Sequence, residues 1–287
     1  MNWLLLDLGN TALKWALVPV EDEAWPKVQD EQTAADPYHA SVAIAADDLP
    51  DQLTSIFLRF GAAAEESERA TAVFGCAVAS RQTMQRVDAA LAAAHMPAAQ
   101  WFAAGGNFDH DGIVLQNCYD DPAQLGADRW HALLGARALF PRKTLVVIAA
   151  GTATTVDTIG ADGRFLGGII APGMELMRSA LARGTARLPL AAGHYVAHPA
   201  NTDDAIHTGT VDAHVGLIER RVRRARELAE GPVQVVLGGG NAGALLPFLQ
   251  AHGGFPGAHR ADDLVLRGLW HAARKQAADA IADRGKS

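Results

Sequence analysis

What most limits the fold of this chain is a pattern that occurs twice. Residues 4–18 read LLLDLGNTALKWALV and residues 146–159 read VVIAAGTATTVDTI. Each is an apolar strand, a turn of small residues built on Gly and Thr, and a second apolar strand. Two copies are too few for a solenoid, so they imply two duplicated domains facing one another. Further strand-like runs fall at 41–45, 72–76, 165–171 and 233–237, with helical patterns between most of them, and the class is therefore α/β. Between the copies, DDPAQLGADRWHALLGARALFPRK (120–143) reads as a linking helix, capped by Asp120 or Asp121, begun by Pro122 and ended near Pro141. The expected domains are 1–122 and 123–287, with the linking helix at about 123–140.

The copies differ in charge. The first sets Asp7 and Lys14 on either side of Gly9-Asn10-Thr11, although burying a charge without compensation costs several kcal/mol. Such turns leave backbone N–H groups open, so Gly9-Asn10-Thr11 and Gly151-Thr152 can each cradle phosphate oxygens. Two of them on facing domains would grip a triphosphate from both sides. Asp7 would then hold a magnesium ion or its waters, and Lys14 would neutralise phosphate.

GADRW (126–130) places Asp128 and Arg129 side by side on a predicted helix, about 100° apart, so they can address different groups. A phosphoryl transfer needs a base for the attacking hydroxyl and cations for the transferring charge, and these residues supply both types. Tyr119, upstream, can donate its hydroxyl to a polar substrate.

Other features exclude more than they suggest. Of 287 residues, 49% are hydrophobic, which is enough for a sizeable core. No apolar run approaches the roughly 20 residues of a membrane span, and MNWLLLDLGN lacks the features of a signal peptide, so the cytoplasm is the expected location. A net charge of −7 argues against general attraction to nucleic acid or membranes. The basic run ERRVRRARE (219–227) falls on the outer faces of an amphipathic helix whose buried stripe is Val211, Val215, Ile218, Val222 and Ala225. Cys76 and Cys118 are too few for a disulfide framework or a four-ligand zinc site and carry no evident chemistry. GGGNAG (238–243) matches a dinucleotide fingerprint, but too little chain follows for a Rossmann unit; its glycines can instead let an adenine or ribose lie against the backbone. His194 and His198 are bracketed by Gly193 and Pro199, which opposes a helical zinc pair. The acidic, Pro-containing segment 20–40 and the tail after Ala282 read as loose.

DLGNTALK (7–14), GADR (126–129), GTATTVD (151–157), GGIIAPGMELMRSAL (167–181), TARLP (185–189) and NTDDAIHTG (201–209) stand in this order. Together they resemble the type III pantothenate kinases, also described as Bvg accessory factor family proteins, from Trp3 to about Gly268. The resemblance implies an actin-like (ASKHA, ribonuclease H-like) α/β fold with two duplicated domains around a cleft, a homodimer, and ATP-dependent phosphorylation of pantothenate to 4'-phosphopantothenate, the first step of coenzyme A biosynthesis. It implies ATP contacts from Asp7, Leu8, Gly9, Asn10, Thr11, Ala12, Leu13, Lys14 and Thr152, and Mg2+ held by Asp7 through water. Pantothenate would meet Tyr119, Gly126, Ala127, Asp128 and Arg129, with Thr185 contributed across the dimer near the interface; Asp128 would accept the proton. Two positions depart from the family pattern. Ala149 replaces the aspartate that helps hold a monovalent cation (K+ or NH4+), which implies another ligand or no strict requirement, and Gly238 replaces a usual Thr. A non-catalytic regulator of the same fold and a sugar or acyl kinase of the same superfamily are the alternatives. Retention of Asp7, Lys14, Asp128, Arg129 and Thr152 opposes the regulator, while only pocket shape separates the acceptors.

Overall fold

The computed structural model describes residues 1–21, 25, 39–45, 48–61, 64–66, 69–185, 188, 190, 192–251 and 254–284. Most of the segment read as loose at 20–40, residues 285–287 of the tail, and Ala186, Arg187 and Pro189 of TARLP lie outside the described residues.

The chain divides into two compact units, one of Met1–Gly105, Asp121–Gly135 and Val265–Ser287, the other of Gly106–Asp120 and Ala136–Leu264. In chain order the first unit contains β1 (Asn2–Leu8), β2 (Ala12–Pro19), β3 (His39–Ala43), α1 (Leu49–Leu58), β4 (Ala70–Ala77), α2 (Arg81–Ala93) and β5 (Ala99–Phe102). The second begins with β6 (Asn107–His110) and β7 (Ile113–Asn117). Helix α3 (Ala127–Leu139) starts in the first unit and ends in the second. The second unit continues with β8 (Thr144–Ala150), β9 (Ala153–Ile159), β10 (Arg164–Pro172), α4 (Met174–Gly184), α5 (Thr202–Leu228), β11 (Val233–Gly238), α6 (Ala242–Ala251) and β12 (His259–Arg260). Helix α7 (Leu264–Arg284) returns the chain to the first unit.

The first sheet has the order β3-β2-β1-β4-β5, with β1 antiparallel to β2, β2 antiparallel to β3, and β1 and β5 parallel to β4. The second has the order β12-β11-β8-β9-β10-β7-β6. Within it, β10-β9-β8-β11-β12 repeats the order and strand directions of the first sheet. The duplication read in two hairpins therefore extends to two five-stranded sheets, and the fold is actin-like.

Every residue of β1 is buried, because both faces of its sheet are covered. Leu4, Leu6 and Leu8 share a core with Leu49, Leu53 and Phe57 of α1 and with Val87 and Leu91 of α2. Trp3 and Leu5, on the opposite face, join Leu266, Leu269 and Trp270 of α7. Strand alternation then places Asp7 on the α7 face with Trp3 and Leu5. Helix α7 lies against α3 at Gly268, where a Cβ would stand 1.8 Å from the His131 carbonyl oxygen, so only glycine allows this approach. In the second sheet, Val146, Ile148 and Ala150 pack with the expected α5 stripe of Val211, Val215, Ile218, Val222 and Ala225.

The linking helix differs from its expected form. Pro122 opens only a single 3-10 turn, residues 122–124, whose Ala123 N–H donates to Asp121 Oδ1 at 3.0 Å. The chain is extended at Leu125, and α3 begins at Ala127. Glycine is a poor helix former, and a Cβ at Gly126 would lie 2.6 Å from Asp128 Oδ1, so the segment breaks there.

Candidate active site

In the first unit the site grows from the end of β1. Gly9 N–H donates to the Ala12 carbonyl at 3.0 Å, closing the turn, and Ile44 N–H donates to the Thr11 carbonyl at 2.9 Å, tying it to the end of β3. Asn10 and Thr11 are exposed, while Gly9, Ala12 and Lys14 are half-buried between the buried Leu8 and Leu13. Across the antiparallel register Asp7 faces Lys14, and on the parallel side it faces Cys76. Alternation places all three side chains on the α7 face: Ala16 and Val18 of β2 and Phe74 of β4 belong to that core.

Asp7 is 8% exposed. Burial pushes its carboxyl up to about 6; Lys14 pulls it down, and the like charge of Asp128 pushes it further up. Asp7 and Asp128, 121 positions apart in sequence, thus act on each other electrostatically in one place. The Cys76 thiol is raised well above its ordinary value by burial and by the same two carboxylates. This placement is invisible in the local sequence, since only the register of β4 against β1 reveals it.

Asp128 occupies the first turn of α3, where the helix dipole favours a carboxylate. The Arg129 N–H donates to Asp128 Oδ1 at 2.7 Å. Arg129 is itself buried, and Gly126 and Ala127 lead into the turn. His131, which sequence reasoning passed over, is buried beneath this turn, with Nδ1 hydrogen-bonded to the Ala127 carbonyl at 2.7 Å. Burial pulls its imidazole down to about 4, so at neutral pH it is uncharged and Nδ1–H donates. The first unit therefore gathers Asp7 to Lys14 with Gly126 to Arg129.

The remaining expected residues belong to the second unit. Tyr119 is half-buried, its ring 5.2 Å from that of Phe165 and its N–H donating to Asn117 Oδ1 at 3.2 Å. Thr152 is exposed in the turn between β8 and β9, and Thr185, at the end of α4, donates its hydroxyl to the Leu181 carbonyl at 2.9 Å. Ala149 pairs with Thr155 and Gly238. Gly238 itself permits close packing, since a Cβ there would stand 2.5 Å from the Ala261 carbonyl oxygen. His194 and His198 lie outside helices, and among the described residues no group of three or more His, Cys, Asp or Glu side chains is placed to hold a metal ion.

Fold and site together define a protein of the actin-like class with a carboxylate pair at its first phosphate turn. A family model for type III pantothenate kinase matches residues 3–224. A type III pantothenate kinase of Aromatoleum aromaticum is 42% identical over 275 residues, covering 96% of this chain and 99% of that protein. One of Dechloromonas aromatica is 50% identical over 162 residues, covering 56% of this chain and 64% of that protein. A solved structure of a Baf family protein from Campylobacter jejuni superimposes with a TM-score of 0.52 at 19% identity, covering 93% of this chain and 94% of that one, and shows the shared fold. The chain belongs to the type III pantothenate kinase family.

Proposed function

We propose that this protein transfers the γ-phosphoryl group of ATP to the primary hydroxyl of pantothenate, forming 4'-phosphopantothenate for coenzyme A synthesis. The observation that carries the reading within the chain is the meeting of Asp7, Lys14 and Asp128: burial raises the Asp7 carboxyl, Lys14 offsets this only in part and Asp128 adds to it, so a cation bound there would favour the carboxylate form. Family membership supplies the acceptor.

In this reading Asp128 accepts the proton of the attacking hydroxyl, aided by its place at a helix N-terminus over a neutral His131. Arg129 and Lys14 stabilise the charge spread over the phosphoryl oxygens. Leu8 to Leu13 and Thr152 present turn N–H and hydroxyl groups to the phosphates, while Gly126, Ala127 and Tyr119 shape the acceptor pocket. Mg2+ fits Asp7: this ion commonly takes one or two carboxylates, waters and substrate phosphates rather than a cage of protein ligands. When bound it would neutralise charge on the ATP phosphates. The expected K+ or NH4+ does not fit position 149, where a methyl group stands.

A homodimer is part of the proposal. Helix α4 exposes Leu176 and Leu181 on the approach to Thr185, and Ile170 of β10 is 65% exposed; a second copy covering this apolar face would bring Thr185 to its partner's substrate. The chain works in the cytoplasm in this reading; no helix among the described residues is long and apolar enough to cross a membrane.

The test is a coupled phosphorylation assay with pantothenate and with several sugars, on the parent chain and Asp128→Asn. Pantothenate should be turned over, and the substitution should lower kcat by about 10² to 10⁴-fold. Undiminished turnover removes Asp128 from the reaction, and turnover of sugars alone overturns the acceptor.

A further inference from the structure

The second phosphate turn is held by donors on all sides. The Ala150 carbonyl accepts from the Asn241 N–H at 2.9 Å, and the Gly151 carbonyl from Asn241 Nδ2 at 3.3 Å. The Thr152 carbonyl accepts from Gly173 N–H at 2.9 Å and the Ala153 carbonyl from Gly151 N–H at 3.0 Å. The four backbone oxygens of residues 150–153 thus each accept a protein hydrogen bond, and a cation at this turn would have to share them. Neither register position directly beside Ala149, Thr155 or Gly238, supplies a carboxylate in place of the missing charge. A bound cation is favoured by oxygens not already engaged by donors and by a nearby negative charge, and residues 150–153 supply neither a carboxylate nor an unengaged backbone carbonyl.

Asn241 reaches the turn because Gly239 lets the chain pass against it. Gly239 has φ +96°, and a Cβ there would lie 2.5 Å from the Ala150 oxygen. The Gly-rich stretch 238–240 is thereby explained as a close backbone approach that delivers Asn241.

We propose that Asn241 is a positioning residue for the nucleotide turn, fixing Ala150 and Gly151 through its backbone and side-chain N–H groups and so setting the place of Thr152, and that nucleotide binding and turnover in this chain need no monovalent cation. This rests on the kinase reading above. An amide strut does by hydrogen bonding what an ion would do by coordination, and it cannot be removed by changing the salt.

The experiment measures ATP affinity by calorimetry, and kcat and KM for ATP, at constant ionic strength in tetramethylammonium, Na+, K+ and NH4+ chloride. In the parent all values should agree within about twofold, a spread below half a kcal/mol. Asn241→Ala should raise Kd and KM for ATP about tenfold, the loss of one satisfied carbonyl, with kcat much less affected. Asn241→Asp sets a carboxylate against the Gly151 oxygen; it should bind ATP weakly in tetramethylammonium and recover at least about fivefold in K+. A tenfold or greater stimulation of the parent by K+ overturns the proposal. So does an Asn241→Asp variant whose weakened binding ignores the cation, or an Asn241→Ala variant with parental affinity. A parent that binds ATP alike in all salts yet phosphorylates no pantothenate would refute the reaction and leave the strut standing.

Discussion

The hairpins β1–β2 and β8–β9 share a topology and differ in what they hold. In the first, Asp7 faces Lys14 and the turn between the paired Leu8 and Leu13 has four residues, 9–12. In the second, Ala149 faces Thr155 and the turn between Ala150 and Thr154 has three, 151–153. The strands before the turns are buried almost throughout, and five strands of the second sheet repeat the order of the first. At the pair beside the turn the second hairpin holds no charge, although it buries Asp157 further along β9, so the charges at positions 7 and 14 are not required by this topology. Their cost is visible in the raised Asp7 carboxyl, and the ATP and Mg2+ of the proposed function would offset it.

Giving the first hairpin the composition of the second should break this difference most severely. Lys14→Thr should lower kcat/KM by about 10² to 10³-fold, the usual cost of losing one charge-stabilising donor, while leaving the far-ultraviolet circular dichroism of the sheet unchanged.

Each hairpin should also respond to added bulk according to what it holds. Gly168, across from Asp157 in the second, has no room: a Cβ would stand 1.7 Å from the Asp157 Oδ1 atom. Gly168→Ala should destabilise by about 3 kcal/mol in urea unfolding. Gly9→Ala in the first, with its nearest contact at 3.2 Å, should cost less than half as much.

Removing the buried acid should expose its cost as a pH effect. Between the unfolded value of 3.8 and about 6, folded Asp7 binds more protons than unfolded Asp7, so its contribution to stability falls as pH rises through that window. His131, pulled down from 6.5 to about 4, acts oppositely: it stays neutral when folded, and its contribution falls as pH drops through 6.5 to 4. The two slopes offset each other in the parent. Asp7→Asn should therefore gain up to about 3 kcal/mol at pH 7, less whatever Lys14 loses, and its stability should climb with pH from 4 to 6.5 more steeply than the parent's. Urea titrations across this range would show it, together with loss of kinase activity.

The smallest effects should be alike in both units. Ser80, whose hydroxyl accepts from Thr83 N–H at 3.2 Å, caps α2, and Asn201, whose side chain accepts from Asp204 N–H at 2.9 Å, caps α5. Alanine at either should cost about 1 kcal/mol and leave kcat unchanged.

How much of this was legible beforehand follows from the range of the forces involved. The eight longer strands and the α5 stripe were readable because apolar periodicity is written locally along the chain. β5, β6, β7 and β12 were not; they are two to five residues long, and only β3 among the strands that were read is as short. Gly126 to Arg129 and the first turn were legible as chemistry because charges in an apolar run stand out. Cys76, His131 and Asn241 were not, because an ordinary residue becomes significant only through what packs beside it. The Asn241 strut spans 90 positions of sequence, and no local pattern announces it.

By itself, then, the sequence determined the duplicated α/β architecture, the pair of Gly-Thr hairpin turns and the family, since hydrophobic spacing and short motifs are properties of neighbouring residues. Only the tertiary structure decided that Asp7, Lys14 and Cys76 share one face with the start of α3, and that Asn241 braces the second turn. Strand register and helix approach fix those meetings, and both are set by burial across the whole unit rather than by any stretch of chain alone.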